Sequence, residues 1–209
     1  MEIIKLAKQN KIIMSEIEKT KLDQMSETKN HQGVIAIVPP YEYADVDDIL
    51  DAAKKKNEDP FIIILDEIED PHNLGSIIRT AECAGAHGII IPKRRSALVN
   101  STVVKTSAGA TSYMKVARVN NLNETIEYLK EHNVWVYGTD MLGSSYYDEQ
   151  DYKGGVAIVV GSEGEGMGRL IKEKCDFLIK IPMKGKINSL NASVSAAIVM
   201  YEVMKQRRS

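Results

Sequence analysis

Three loops of the sequence carry polar side chains at spacings suited to chemistry. The first, residues 65–79, reads LDEIEDPHNLGSIIR and contains Asn73 and Arg79. Asn73 lies where a helix N-cap is expected. Arg79 falls about 150° from the centre of the apolar stripe of that helix, at 100° per residue. Arg79 therefore points away from the core, either as a solvated side chain or as a planar donor group for a phosphate.

The second and third loops are rich in glycine and in small polar residues. They read GSEGEGMG at residues 161–168 and IPMKGKINSLNASVS at residues 181–195. Glycines let a backbone approach a ligand closely, or simply connect two elements. Their spacing fits no GxGxxG frame, and GxxxxGK[ST] is absent from the sequence, so neither a dinucleotide site nor a Walker-type site is indicated. In the third loop, Ser189 or Asn191 could cap the helix that follows.

Each loop follows the carboxyl end of a predicted strand, where open α/β sheets bind their ligands. Short continuous apolar runs predict strands at 61–65, 88–91, 134–139, 155–160 and 177–181. Helical periodicity surrounds residues 74–81 and continues at 121–132, 167–174 and 191–206. The fold class is therefore α/β, with a mostly parallel sheet and helices on both faces. The last helix is predicted to bury Val194, Ala197, Ile198, Tyr201 and Met204.

The first 59 residues have a different organisation. Helices are predicted at 1–9 and 21–26, and strands at 11–17 and 34–38. We interpret residues 39–59 as an acidic linker with a short helix at 46–55, because it opens on Pro39-Pro40. About 38 residues can hardly bury a core of their own. The predicted domains are therefore 1–38, the linker 39–59, and a main domain at 60–209.

Composition excludes several classes of protein. The 209 residues hold 27 Lys and Arg against 29 Asp and Glu, a net charge of −2, so a histone-like basic surface is excluded. No apolar run approaches the roughly 20 residues that cross a bilayer, and the expected location is cytoplasmic, with no membrane partner. Cys83 and Cys175 form no CxxC or Cys/His cluster, so no metal site is expected and both are predicted to be buried thiols.

Together, the three loops closely resemble the three motifs of the SpoU branch of the SPOUT RNA methyltransferases. The segments are NLGSIIRTAE, VVGSEGEGMG and IPMKGKINSLNASVSAA, and flanking segments such as AGAHGIIIPKRRSA are similar to the 23S ribosomal RNA (guanosine-2′-O-)-methyltransferase subgroup. The resemblance implies a homodimer that methylates a guanosine ribose in large-subunit ribosomal RNA, with S-adenosylmethionine as cofactor. It also implies a C-terminal deep trefoil knot, and an N-terminal L30e-like RNA-binding domain whose latter half alone residues 1–38 resemble, as in a truncated domain.

The resemblance also assigns the site residues. It places Arg79, Asn73, Glu163, Ser189 and Asn191 at the reaction centre, and Thr139, Gly161, Ile181 and Leu190 at the cofactor. Because a guanidinium stays protonated in proteins, we expect Arg79 to hold a phosphate and stabilise developing alkoxide charge rather than to accept the proton. Asn73 and Glu163 would orient Arg79 and the substrate, with Glu163 as a general base left open.

Binding of RNA at a net charge of −2 requires local basic surfaces. The candidates are Lys93-Arg94-Arg95, Lys184 with Lys186, and residues 205–208, each of which is also compatible with an ordinary solvated face. Three alternatives stay open. Two keep the fold and the chemistry, a transfer RNA ribose methyltransferase and an antibiotic-resistance ribosomal RNA methyltransferase. The third is a non-catalytic RNA-binding or ribosome-assembly protein.

Overall fold

The computed structural model describes residues 2–26, 30–37 and 41–208, and the chain divides into two compact units, Met1–Pro40 and Tyr41–Ser209. The first unit contains helices α1 (Glu2–Gln9) and α2 (Lys19–Met25), as predicted. The strands predicted at 11–17 and 34–38 are wrong for the described residues, which are irregular there, and Val38 lies outside them. Ile13 and Ile37 are almost fully exposed, and a strand needs a neighbouring strand to satisfy its backbone.

The second unit is built on a seven-stranded sheet in which every pairing is parallel. Its spatial order is β3-β2-β1-β6-β4-β7-β5. The five predicted strands are confirmed, and β3 and β5 are additional. The strands are β1 (Phe61–Leu65), β2 (Gly88–Pro92), β3 (Lys115–Val119), β4 (Val134–Thr139), β5 (Ser145–Tyr146), β6 (Gly155–Val160) and β7 (Phe177–Lys180).

Helices cover both faces of this sheet, as the apolar strands predicted. Ile63 and Leu65 of β1 pack into one core with α4 (Pro71–Cys83) and α8 (Ala192–Arg207). Ile62 and Ile64 face a second core with α3 (Val46–Lys56), α6 (Leu122–Glu131) and α7 (Arg169–Lys174). The short helix α5 (Ser101–Thr106) packs beside α4, and single 3₁₀ turns lie at Ala110–Ser112 and Tyr147–Glu149. Among the described residues, no helix is long and apolar enough to cross a bilayer.

Helix α3 places most of the segment interpreted as a linker on the sheet. Ile49 and Ala53 of α3 are buried in the second core. A Cβ atom on Gly88 of β2 would lie 2.5 Å from the Ile49 side chain, so the helix sits directly over the strand. Residues 41–59 therefore belong to the same compact unit as the sheet.

Two further sequence predictions are wrong. Helix α8 buries Ala192, Ala196, Val199, Met200 and Val203 rather than the predicted stripe, and Val194 and Tyr201 are each 46% exposed. Small and apolar residues surround this helix on all sides, so periodicity could not select the buried face. Cys83, at the end of α4, is exposed rather than buried, and Cys175 is half-buried. Burial raises the pKa of the Cys175 thiol to about 12.

Candidate functional site

Three side chains from three loops meet at the carboxyl edge of the sheet. One carboxylate oxygen of Glu163, after β6, accepts a hydrogen bond from the Asn73 amide at 3.0 Å and another from the Asn191 amide. Asn191 also donates to the Asn73 side-chain oxygen at 3.0 Å. The backbone N–H of Ala192 approaches the same Glu163 oxygen at 3.3 Å. The structure thus joins three of the five residues predicted for the reaction centre.

Asn73 reaches this cluster from inside α4 and not from its cap. The N-cap is Asp70, whose carboxylate accepts from the His72 N–H at 2.9 Å, and Pro71 occupies the first helical position. The prediction that Asn73 is the cap is therefore wrong. Proline at that position has no N–H to satisfy and a φ already suited to a helix. With the cap three residues earlier, the Asn73 amide is free to bind across to Glu163.

Asn191 is the N-cap of α8, one of the two caps predicted. Its side-chain oxygen accepts from the N–H of Ser193 at 3.0 Å and of Val194 at 3.3 Å, and from the Ser193 hydroxyl at 2.6 Å. Its amide nitrogen is left for Glu163 and Asn73. One side chain therefore fixes the start of the helix and links the other two loops.

The loop that carries Glu163 closes on itself. Ser162 and Gly166 exchange backbone hydrogen bonds of 3.1 and 3.0 Å. A Cβ atom on Gly161 would lie 2.2 Å from the Gly166 carbonyl carbon. Glycine is therefore required at position 161 by the closure of the loop. A role for Gly161 in cofactor binding remains a prediction.

Asp66 anchors the far end of this loop, and sequence reasoning missed it. Its carboxylate, at the end of β1, is 7% exposed and accepts from the Gly168 N–H at 2.8 Å. Burial raises the pKa of Asp66 above its ordinary value, although the hydrogen bond from Gly168 opposes that shift. The bond joins residues 102 positions apart, so no local pattern could have revealed it.

Arg79 and Ser189 stand apart from the cluster. Arg79 is exposed, as predicted, and lies six residues after Asn73 on α4, about 9 Å along the helix axis. Ser189 is exposed in the loop between β7 and α8. Neither side chain makes a hydrogen bond or ion pair with any residue in the described part of the chain. Both are therefore available to a substrate.

The predicted cofactor residues lie at the ends of β4, β6 and β7. The Thr139 hydroxyl donates to the Val159 carbonyl at 3.1 Å, and Ile181 packs against the core. Asp140, beside Thr139, pairs with Lys172 at 2.5 Å and accepts from the Leu142 N–H at 2.8 Å. Burial alone would raise the pKa of Asp140, but Lys172 and that N–H lower it below its ordinary value. Sequence reasoning missed this second loop anchor too.

The loop between β7 and α8 has the groups that an adenosine-containing cofactor needs. Residues 183–190 make no backbone-to-backbone hydrogen bond within the described chain, so their N–H and C=O groups can bind a ligand. Leu190 is half-buried, whereas Ile187 and, on the neighbouring loop, Leu142 are 75% and 91% exposed. Apolar side chains beside free backbone groups are typical of cofactor sites. The residues present therefore fit S-adenosylmethionine.

An open cleft of about 560 Å³ adjoins the cluster. Carboxylates dominate its lining, and Arg95 is its one cation. The lining residues are Glu67, Ile68, Glu69, Asp70, Asn73, Arg95, Ser162, Glu163 and Glu165. Arg95 donates to Glu67 at 2.8 Å across this cleft. Among the residues that the structure describes, no group of three or more His, Cys, Asp or Glu side chains is arranged to hold a metal ion.

Comparisons with protein families cover nearly the whole chain. Residues 60–201 match the model of the SpoU rRNA Methylase family. Residues 1–44 match the model described as RNA 2′-O ribose methyltransferase substrate binding. The second match overlaps the N-terminal unit, and the first covers the sheet together with the residue cluster.

Individual proteins agree with these matches. A relative from Bacillus subtilis (strain 168), named YacO and assigned to the TrmH family of tRNA/rRNA methyltransferases, is 55% identical over 99% of this chain and 82% of its own length. A Staphylococcus saprophyticus relative of the same family is 52% identical over the same shares.

Solved structures share the fold. The SpoU methyltransferase AviRb from Streptomyces viridochromogenes, in complex with AdoMet, superposes with a TM-score of 0.68 at 29% identity over 72% of this chain. An AdoMet-bound rRNA methyltransferase from Sinorhizobium meliloti gives 0.69 at 29% identity over 78%. The chain spans about three fifths of those two proteins, 59% and 61%.

Proposed function

The chain belongs to the SpoU rRNA methylase family of RNA methyltransferases, and we propose that it methylates the 2′-oxygen of a guanosine ribose in large-subunit ribosomal RNA, using S-adenosylmethionine. The observation that carries this proposal is the cluster of Asn73, Glu163 and Asn191. It joins the three loops that hold the family's motifs at the edge of the sheet where α/β proteins bind ligands. The guanosine and the class of RNA rest on the resemblance of the flanking segments.

The cluster acts by fixing geometry. When bound, S-adenosylmethionine supplies an electrophilic methyl group, which must lie in line with the attacking oxygen. Thr139, Gly161, Ile181 and Leu190 would hold the cofactor. Glu163 ties the loop after β6 to α4 and α8, so the cofactor loops and the substrate-facing helix keep one arrangement. Much of the rate would come from this positioning.

Arg79 would act on the RNA from its exposed place on α4. Its guanidinium remains charged and has donors free, so it would bind the phosphate beside the target ribose and stabilise the developing alkoxide. The exposed Ser189 hydroxyl would bind the ribose or a phosphate at the start of α8. Because Arg79 does not touch the cluster, bound RNA is what would bring the two together.

Methyl transfer to defined RNA tests the proposal. The protein is incubated with labelled S-adenosylmethionine and an unmodified transcript of large-subunit ribosomal RNA, and the modified nucleotide is mapped. We expect a single 2′-O-methylguanosine. Arg79→Ala should lose about 100-fold or more in turnover while its affinity for the cofactor stays within about twofold of wild type. Arg169→Ala, a change at an exposed arginine of α7, is the control. Full activity of Arg79→Ala would contradict the assigned role.

Transfer RNA is a second candidate substrate, because the relatives from Bacillus and Staphylococcus carry names that cover both RNA classes. Unmodified transfer RNA transcripts assayed in parallel separate the two. Methylation of transfer RNA alone would leave the chemistry in place and overturn the ribosomal assignment. A protein that binds RNA but not S-adenosylmethionine would instead indicate a non-catalytic RNA-binding protein.

Two structural features follow from the same family assignment as proposals. The segment from β6 to α8 would thread the deep trefoil knot, and two copies would pair through that region. The apolar side chains of Val194 and Tyr201, exposed on α8, are consistent with such a pairing surface. Light scattering at micromolar concentration should give the mass of a dimer, and a monomer there would contradict the pairing.

A further inference from the structure

The cleft beside the cluster has the wrong charge for RNA. Five carboxylates line it, those of Glu67, Glu69, Asp70, Glu163 and Glu165, against the one guanidinium of Arg95. An RNA strand that brings its ribose to this edge of the sheet also brings its phosphates, which carboxylates repel. Binding therefore requires a cation at the cleft that can neutralise a phosphate.

Arg95 has the geometry for that task. Its side chain is 72% exposed, and one terminal nitrogen donates to Glu67 at 2.8 Å. A guanidinium has five N–H donors in a planar fork, so this bond leaves most of the donors free. Glu67 holds the side chain over the cleft by one end. The remaining edge of the fork faces outward, and a phosphate can bind such an edge through two parallel hydrogen bonds.

We propose that Arg95 is a substrate-binding residue that holds a phosphate of the RNA strand flanking the target nucleotide. The inference rests on the proposed function, and it adds a contact that none of the three motifs contains. Arg79 and Arg95 would then grip the backbone from two elements, α4 and the loop after β2. The target ribose would be held beside the Asn73–Glu163–Asn191 cluster.

The chain offers a matched control in Arg94. It is the adjacent residue, carries the same charge and is exposed, but it does not line the cleft. Binding of the unmodified ribosomal RNA transcript is measured over a series of salt concentrations for wild type, Arg95→Ala, Arg95→Lys and Arg94→Ala. Thermal unfolding and cofactor affinity are measured alongside, and we expect both to be unchanged because the Arg95 side chain is mostly exposed.

We expect Arg95→Ala to weaken RNA binding about tenfold at low salt. The slope of log K against log salt should become shallower by about 0.7–0.9, the value for one lost phosphate contact. KM for RNA should rise in parallel. Arg95→Lys should restore the slope, since a lysine also neutralises a phosphate. Arg94→Ala should change RNA affinity less than about twofold.

Three outcomes would overturn the inference. They are equal effects of Arg95→Ala and Arg94→Ala, no effect of Arg95→Ala, and weaker binding with an unchanged salt slope, which would indicate a contact to a base. Failure of the proposed function is separable, because it would appear as absence of methyl transfer by the wild-type protein. The RNA-binding comparison needs no turnover and is read independently.

Discussion

Glu163 is the residue on which the reaction centre depends most. One of its carboxylate oxygens accepts from Asn73, Asn191 and the Ala192 N–H. An oxygen already shared by three donors is a poor acceptor for a further proton, because those hydrogen bonds stabilise its charged form. The geometry favours a positioning role for Glu163 over the general-base role that the sequence left open.

Replacement of Glu163 by two different residues separates these roles. Glu163→Gln keeps an oxygen that can accept from the same donors but cannot act as a base near neutral pH. We expect it to retain turnover within about tenfold of wild type, with an unchanged pH–rate profile. Glu163→Ala removes the acceptor, and we expect a loss of about 100-fold or more. Turnover is measured from pH 6 to pH 9.

The two variants can give other results. If Glu163→Gln were as inactive as Glu163→Ala, and the wild-type profile lost its acidic limb in the variants, Glu163 would be the base. Binding of S-adenosylmethionine should persist in both variants and serves as the control for folding of the loop. Asn73→Ala, which removes one donor to the same oxygen, should lose less activity than Glu163→Ala.

The site residues that sequence predicted and those that it missed differ in how they are held. Asn73, Glu163 and Asn191 stand in recognisable motifs. Asp66 and Arg95 do not, because each acts through a partner in another loop: Asp66 through the Gly168 N–H, and Arg95 through Glu67. Such contacts depend on the order of strands in the sheet. A carboxylate after a buried strand was the one available signal for Asp66.

At the scale of elements, a motif glycine serves packing. Gly75 lies in α4 between Asn73 and Arg79, and a Cβ atom there would lie 2.7 Å from the Thr106 Cβ and 3.0 Å from the Val103 carbonyl oxygen of α5. Contacts this short force a helix to shift. Gly75 therefore permits the close approach of α4 and α5, which sets where Asn73 and Arg79 lie.

Gly75→Ala should lower the free energy of unfolding by about 1–3 kcal/mol, the usual effect of an added methyl group in a packed interface. Urea denaturation of the full chain measures it. Gly185→Ala is the control, because a Cβ atom there would meet only the Ile187 backbone nitrogen at 3.9 Å, and we expect a change within about 0.5 kcal/mol. Equal stabilities for both variants would show that α4 can move away from α5 at little cost.

Elements were predictable where burial is uniform and unpredictable where it depends on neighbours. β1 and β6 are buried on both faces, so their continuous apolar runs identified them. The runs at 11–17 and 34–38 resembled strands but have no neighbouring strand in the structure. Helix α8 was placed correctly along the chain and incorrectly around its axis, because α4 and β6 determine which of its apolar faces is buried.

At the scale of the whole molecule, the net charge of −2 says little about RNA binding. The segment 41–59 carries 7 acidic and 3 basic residues, and its helix α3 packs in the second core, whereas α4 and α8, which carry three site residues, pack in the first. The acidic helix thus lies on the other face of the sheet from α4. Affinity for RNA must come from local cations and from the N-terminal unit.

The two compact units allow RNA binding to be separated from catalysis. Residues 41–208 contain the whole sheet, both cores and the residue cluster, whereas the match to the substrate-binding family lies at 1–44. We expect a protein that begins at Tyr41 to fold, with a thermal midpoint within a few degrees of the full chain, and to bind S-adenosylmethionine normally. KM for RNA should rise about tenfold or more because backbone contacts are lost, while turnover at saturating RNA stays within a few fold. Unchanged KM would show that residues 1–40 do not bind the substrate, and an unfolded product would show that the sheet depends on them.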